Sequence, residues 1–238
     1  MTTLVLPAKI FEFTEDAIAL PTIHQRLTEY HDEDQYTPAN GETIALVSEV
    51  LELQQDKNSI SGIFSRDFIT PRQYRRDLVE IPVTEEAPFW IKSFDTKTYL
   101  IVMAPSVARG VRKLLTSHVA NKLSDVIFLK PWSIREARLS PETMKELHES
   151  NPQATKLIWF DDVDIPSVDK LCLAGSSLAD TKLYQEYLQH GTIWYVVFEV
   201  QRRQIVVGIT RNCVVTLFSK STVDDFVNYI LDDLIPLI

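Results

Sequence analysis

Phe94-Asp95-Thr96-Lys97-Thr98-Tyr99-Leu100-Ile101-Val102 and Thr210-Arg211-Asn212-Cys213-Val214-Val215-Thr216-Leu217-Phe218 decide how this chain is read. The two stretches lie 116 positions apart, close to half of the 238 residues. Each sets a short polar turn before a run of β-branched and aromatic residues, the pattern of a hairpin entering a strand. Without a gap, Ser106-Val107 then meets Thr222-Val223, and Val111, Leu114 and Leu115 meet Val227, Ile230 and Leu231. Upstream, Leu78–Val83 falls against Trp194–Glu199; beyond that the match needs an insertion holding a helix at Thr181–His190. What recurs is the order of elements: four strands, then a helix. Chance is the competing explanation, because helical apolar spacing matches itself readily.

Outward from these stretches, the pattern predicts strands at Leu4–Phe13, Thr43–Leu53, Ile60–Phe64, Leu78–Val83, Phe89–Phe94, Thr98–Met103 and Val126–Leu129. Further strands are expected at Leu157–Phe160, Lys170–Leu173, Ile193–Val200, Ile205–Ile209 and Val214–Phe218. Helices are expected over Thr14–Tyr30, kinked at Pro21, over Ser106–Leu123, after Ser140-Pro141, over Thr181–His190 and over Val223–Ile235. His31–Gly41 reads as a polar loop. The fold class is therefore α+β: an antiparallel sheet with helices packed on one face, in two pseudo-symmetric β-β-β-β-α halves. The division is 1–135 and 136–238, and the uncovered sheet face is left for a ligand or partner.

Composition narrows the function classes. The six glycines are too scattered for a GxGxxG or GxxxxGK[ST] phosphate loop or a Gly-x-Ser-x-Gly elbow, which argues against Rossmann, P-loop and α/β-hydrolase chemistry. Cys172 and Cys213 are 41 positions apart and form no CxxC, so no zinc ribbon is expected; both read as small core residues. No apolar run approaches the roughly 20 residues of a membrane span, and the stretch from Met1 to Phe13 lacks a basic leader. A soluble, cytoplasmic protein without membrane association is expected, with no cofactor.

Charge is unevenly distributed. Residues 1–56 hold 2 basic and 11 acidic side chains, residues 57–138 hold 14 and 8, and residues 139–238 hold 8 and 14. The net −9 thus hides a basic middle. Arg66, Arg72, Arg75 and Arg76 fall in a loop-like stretch, Ser65–Asp77, beside Tyr74. Arg109, Arg112, Lys113 and Lys122 fall off the apolar stripe of the Ser106–Leu123 helix. Arginine forks grip phosphate and aromatics stack on bases, so these eight residues are the candidate nucleic-acid-binding set. The competing explanation is a solvated face whose arginines pair with Glu80, Glu85 and Glu86, and the overall negative charge opposes long-range attraction of DNA or RNA.

Three function classes remain open. The first is a non-catalytic binding protein for DNA or RNA, using the Arg-rich loop and the basic helix face. The second is a protein-interaction or regulatory subunit, or a homodimer, supported by the charge segregation and the apolar end Leu234-Ile235-Pro236-Leu237-Ile238. The third is a metal-dependent nuclease around Asp161, Asp162 and Asp164 with Glu199, although Gln201 stands where such a core wants lysine. No catalytic or metal-ligating set is complete in the sequence. His24 and His31 are too far apart along a helix to share a metal, and His118, His148 and His190 are isolated.

Overall fold

The computed structural model describes residues 6–15, 18–38, 41–104, 112–150, 152–218 and 221–238, with backbone alone for 112–116 and 152. Among these, twelve strands and five α-helices make a mixed α/β fold in which strands predominate and pair antiparallel. The chain divides into two compact units: Glu12–Arg135, and Met1–Phe11 with Glu136–Ile238.

In the unit Glu12–Arg135, helix α1 (Leu20–Thr28) is followed by a meander. It comprises β2 (His31–Tyr36), β3 (Ile44–Gln55), β4 (Ser59–Tyr74), β5 (Asp77–Phe94) and β6 (Lys97–Met103), hydrogen-bonded in that order. Helix α2 (Arg112–Phe128) closes the unit. Pro21 does not kink a longer helix; it sits in the first turn of α1, where its missing N–H would have had no partner. His31–Tyr36 is a strand rather than a loop. It pairs with β3 at the sheet edge, and its polar composition hides this from periodicity. Val126–Leu129 is not a strand either. Ala120, Leu123 and Ile127 are buried at helical spacing, so α2 runs on to Phe128, and Leu129 then leaves it with φ 57°. The core gathers Ile23, Leu27, Phe64, Phe89, Ile91, Leu100 and Leu123, all at most 1% exposed.

The second unit holds β1 (Leu6–Phe13) as far as Phe11, Glu136 at the end of the short β7 (Ile134–Glu136), helix α3 (Pro141–Glu149) and strands β8 (Thr155–Asp161) and β9 (Leu171–Ala174). Helix α4 (Lys182–His190) precedes β10 (Thr192–Val200), β11 (Ile205–Thr210), β12 (Val214–Leu217) and helix α5 (Val223–Tyr229). The strand order is β1-β12-β11-β10-β8-β9. Ser140 caps α3 by accepting the N–H of Thr143, with Pro141 at the first helical position. Thr222 and Asp225 form a reciprocal capping box on α5. After α5 the helix widens into a π turn over Ile230–Leu234, which keeps Ile230, Leu234 and Ile235 all in the core. The apolar C-terminus is thus docked up to Ile235, while Leu237 remains exposed. Lys9, 3% exposed, is neutralised by an ion pair with Glu136.

At the offset of 116, β6 falls on β12, but the single strand β5 falls on the hairpin β10–β11. Val111 lies outside the described residues, as does the segment 105–111 that would begin the longer helix.

Candidate docking arm

The Arg-rich stretch Ser65–Asp77 is not a loop. The β4–β5 ladder runs unbroken from Ser59↔Lys92 to Tyr74↔Asp77, so Leu78–Val83 and Phe89–Phe94 belong to one 18-residue strand. Only Arg75 and Arg76 form the turn, with Arg75 at φ 57°. The short reading arose because arginines, prolines and glutamates interrupt the apolar alternation, although the backbone ladder does not need it.

Both flanking strands stop before the arm does. β3 pairs with β4 no further than Ser48↔Arg66, and β6 begins pairing with β5 at Phe89↔Val102. Beyond these points β4 and β5 pair only with each other. All twelve residues from Pro71 to Pro82 are exposed. The prolines have a definite phase. A two-residue turn closes on a hydrogen-bonded pair, Tyr74↔Asp77, and such pairs then alternate with non-hydrogen-bonded ones. Pro71, Pro82 and Pro88 all fall in the non-hydrogen-bonded phase, where backbone N–H groups point outward. Each outer edge of the arm is therefore missing a donor, which blocks an incoming strand and leaves recognition to side chains.

Those side chains are unusual for a solvated hairpin. Of the ten large exposed hydrophobic residues among the described ones, four lie here: Tyr74 (63%), Leu78 (72%), Val79 and Ile81 (41% each). Strand alternation places Tyr74, Val79 and Ile81 on one face, continuous with Phe68 and Val83. Arg72, Arg75 and Arg76 surround the tip, and none is in an ion pair among the described residues; Arg75 lies 5.5 Å over the Tyr74 ring. Nearer the root, the Glu80 carboxylate accepts a bond from Tyr36 of β2 that pushes the Tyr36 pKa up.

The eight expected nucleic-acid-binding residues separate into groups. Arg72, Arg75 and Arg76 share the arm tip. Arg66 is at the root, directly across from Glu85, six residues or about 20 Å of strand from Arg72. Lys122 is held by Asp32 at 3.2 Å and, with Arg66, lies close enough to His118 to help lower its pKa. Arg109 lies outside the described residues, and Arg112 and Lys113 are placed by backbone only, in the first turn of α2.

The carboxylate reading loses its geometry. Arg211 donates to Asp161 at 3.1 Å and to Asp162 at 3.4 Å, and His190 bonds Asp164 at 2.8 Å. Burial raises the Asp161 pKa and the Arg211 charge opposes that rise. Glu199 is seven residues along β10 from Thr192, the partner of Asp161, or about 23 Å away. No group of three or more metal-ligating side chains occurs among the described residues.

Sequence reasoning missed a buried polar network. His148, fully buried on α3, meets the Tyr184 hydroxyl at 2.8 Å, and that hydroxyl donates to Glu149 at 2.9 Å. With that donation Nε2 of His148 carries the proton, and Nδ1 is buried with no hydrogen-bond partner among the described residues. The signal was Met144 and His148 four apart on one helix face. Cys213 is buried as expected, whereas Cys172 is exposed.

Compared with known proteins, the chain matches no family model and no curated protein.

Proposed function

We propose that the chain is a non-catalytic binding protein and that the β4–β5 arm is its docking element, engaging a protein partner. One observation carries this reading: four large apolar side chains and three arginines in no ion pair among the described residues are concentrated on twelve exposed residues whose outer edges are interrupted by proline. Apolar surface held in water favours a partner that covers it, and aromatic and arginine side chains are those that dominate protein interfaces. The test is to replace Ile69–Pro82 with Asn-Gly, which closes the hairpin on the native pair Phe68 and Val83. Affinity capture from the native cell should recover a partner with the intact chain and lose it with the shortened one. The same partner captured by both would reject the reading.

A nucleic-acid reading is favoured by Arg72, Arg75 and Arg76 at the tip of a ribbon narrow enough for a DNA major groove. Anisotropy titrations with DNA and RNA at about 50 and 200 mM salt test it, because phosphate contacts weaken steeply over that range. Salt-insensitive or absent binding would reject it.

The same reading takes the two units as products of a duplication. The support is the order of sheet neighbours, β3-β4-β5-β6 then α2, against β8-β10-β11-β12 then α5, with β9 and α4 as the insertion. A cytoplasmic location belongs to this proposal as well, supported by an exposed thiol at Cys172.

A further inference from the structure

The arm is asymmetric along its length. Its tip is basic, with Arg72, Arg75 and Arg76 against Asp77, while its root is surrounded by acid. Glu80 lies beside Tyr36, the last residue of β2, and β2 carries Asp32, Glu33 and Asp34 on the outer edge of its sheet. Only Asp32 of these three is in an ion pair with a lysine or arginine among the described residues. A surface that is basic at one end, acidic at the other and apolar between is complementary to itself when turned end for end. That is the requirement for a two-fold interface.

We infer that the arm docks against the arm of a second copy of this chain, antiparallel, with the Tyr74, Val79 and Ile81 faces in contact and the arginine tip of each reaching the β2 acids of the other. This rests on the docking-arm reading and specifies its partner. The proline-interrupted edges direct the contact to the faces, because neither arm can offer a complete edge for strand pairing. The apolar face supplies the buried area and the charged ends fix the direction. A parallel arrangement would set six arginines together and is disfavoured by their repulsion.

Sedimentation velocity on the full chain tests this, from about 1 to about 200 µM, where a micromolar dimer populates both species. A dimer is expected, weaker at about 500 mM than at about 50 mM salt, since screening acts on the charged ends. Ile81→Asp and the double substitution Arg75→Glu/Arg76→Glu should each weaken it about tenfold or more. Arg75→Glu/Arg76→Glu mixed with Glu33→Lys/Asp34→Lys should recover association that neither variant shows alone. A chain that stays monomeric throughout, or a dimer indifferent to these substitutions, overturns the inference. A photo-crosslinker at Val79, on the face proposed to make the contact, separates this failure from failure of the arm reading. Crosslinking to another copy supports the inference. Crosslinking in cells only to a different protein or to nucleic acid overturns it, the former leaving the arm as a protein-docking element. No crosslink to anything overturns both.

Discussion

The Asp67 carboxylate accepts the backbone N–H of Val47 at 3.0 Å, at the point where β3 ceases to pair with β4. Its other oxygen accepts the hydroxyl of Thr84, directly across the ladder, at 2.6 Å. One side chain thus replaces the backbone partner that β4 withdraws from β3 and clamps both strands of the arm at their root.

Asp67→Ala should therefore loosen the root without unfolding the core. Removing the acceptor strands a part-buried N–H, at a cost of about 1–3 kcal/mol. Amide exchange at Val47 should accelerate while that of Leu100, in the core strand β6, stays unchanged. Equal protection at Val47 would mean that the carboxylate is not its acceptor in solution.

Acid should weaken the fold through two histidines. Burial lowers the pKa of His118 and of His148 to about 4, from an ordinary value near 6.5. The unfolded chain then binds more protons than the folded one between these values, so stability falls as pH drops from 6.5 to about 4 and this contribution levels off below. For the fully buried His148 the limit is about 3 kcal/mol. Urea unfolding at pH 7, above this window, and at pH 5.5 and 4.5, within it, should show that slope. His148→Gln should reduce it, and an unchanged slope would mean that carboxylates dominate.

At Gly208, β11 passes beneath Tyr195 of β10. A Cβ at Gly208 would overlap the Tyr195 hydroxyl and come within 2.9 Å of the Phe218 ring. Gly208→Ala should cost about 1–3 kcal/mol by overpacking, and Tyr195→Phe, which removes the overlapping oxygen, should recover part of it. Thermal unfolding of the single and double variants measures the coupling.

Arg211→Ala should raise the Asp161 pKa further. Burial already pushes that carboxyl upward, and the guanidinium 3.1 Å away is what restrains it. Carboxyl carbon chemical shifts followed across pH would report the displacement. A downward shift would show that Arg211 does not charge-balance Asp161.

The legible parts of the fold are those where local chemistry and tertiary structure agree. Ser140-Pro141, Thr181 and Thr222 signalled helix starts that their side chains do cap. The Asp95-Thr96 turn emerged from two apolar runs separated by polar residues, and Phe94↔Lys97 closes it. Illegible parts depend on partners distant in sequence. β2 is a strand because β3 lies beside it, and nothing in His-Asp-Glu-Asp-Gln-Tyr announces that. The arm was concealed by its own composition: Arg72, Pro71, Glu80 and Pro82 break the alternation that marks a half-buried strand, because this strand is not half-buried. Arg66 and Arg72 lie apart for a related reason. Linear clustering of arginines says nothing about a ladder that extends Arg66 and Arg72 to different ends of a rod.

The two prolines of the exposed ribbon, Pro71 and Pro82, carry a consequence for the chain in bulk. An exposed ribbon bearing Tyr74, Leu78, Val79 and Ile81 has the composition from which cross-β fibres grow, and what it lacks is an uninterrupted row of donors to template the next strand. Pro71→Thr/Pro82→Thr would restore that row at little cost to the native state, since neither nitrogen faces its ladder partner. The altered protein should unfold at the same denaturant concentration as the original yet turn thioflavin-positive on storage. Its shelf life, rather than its stability, is what these imino acids protect.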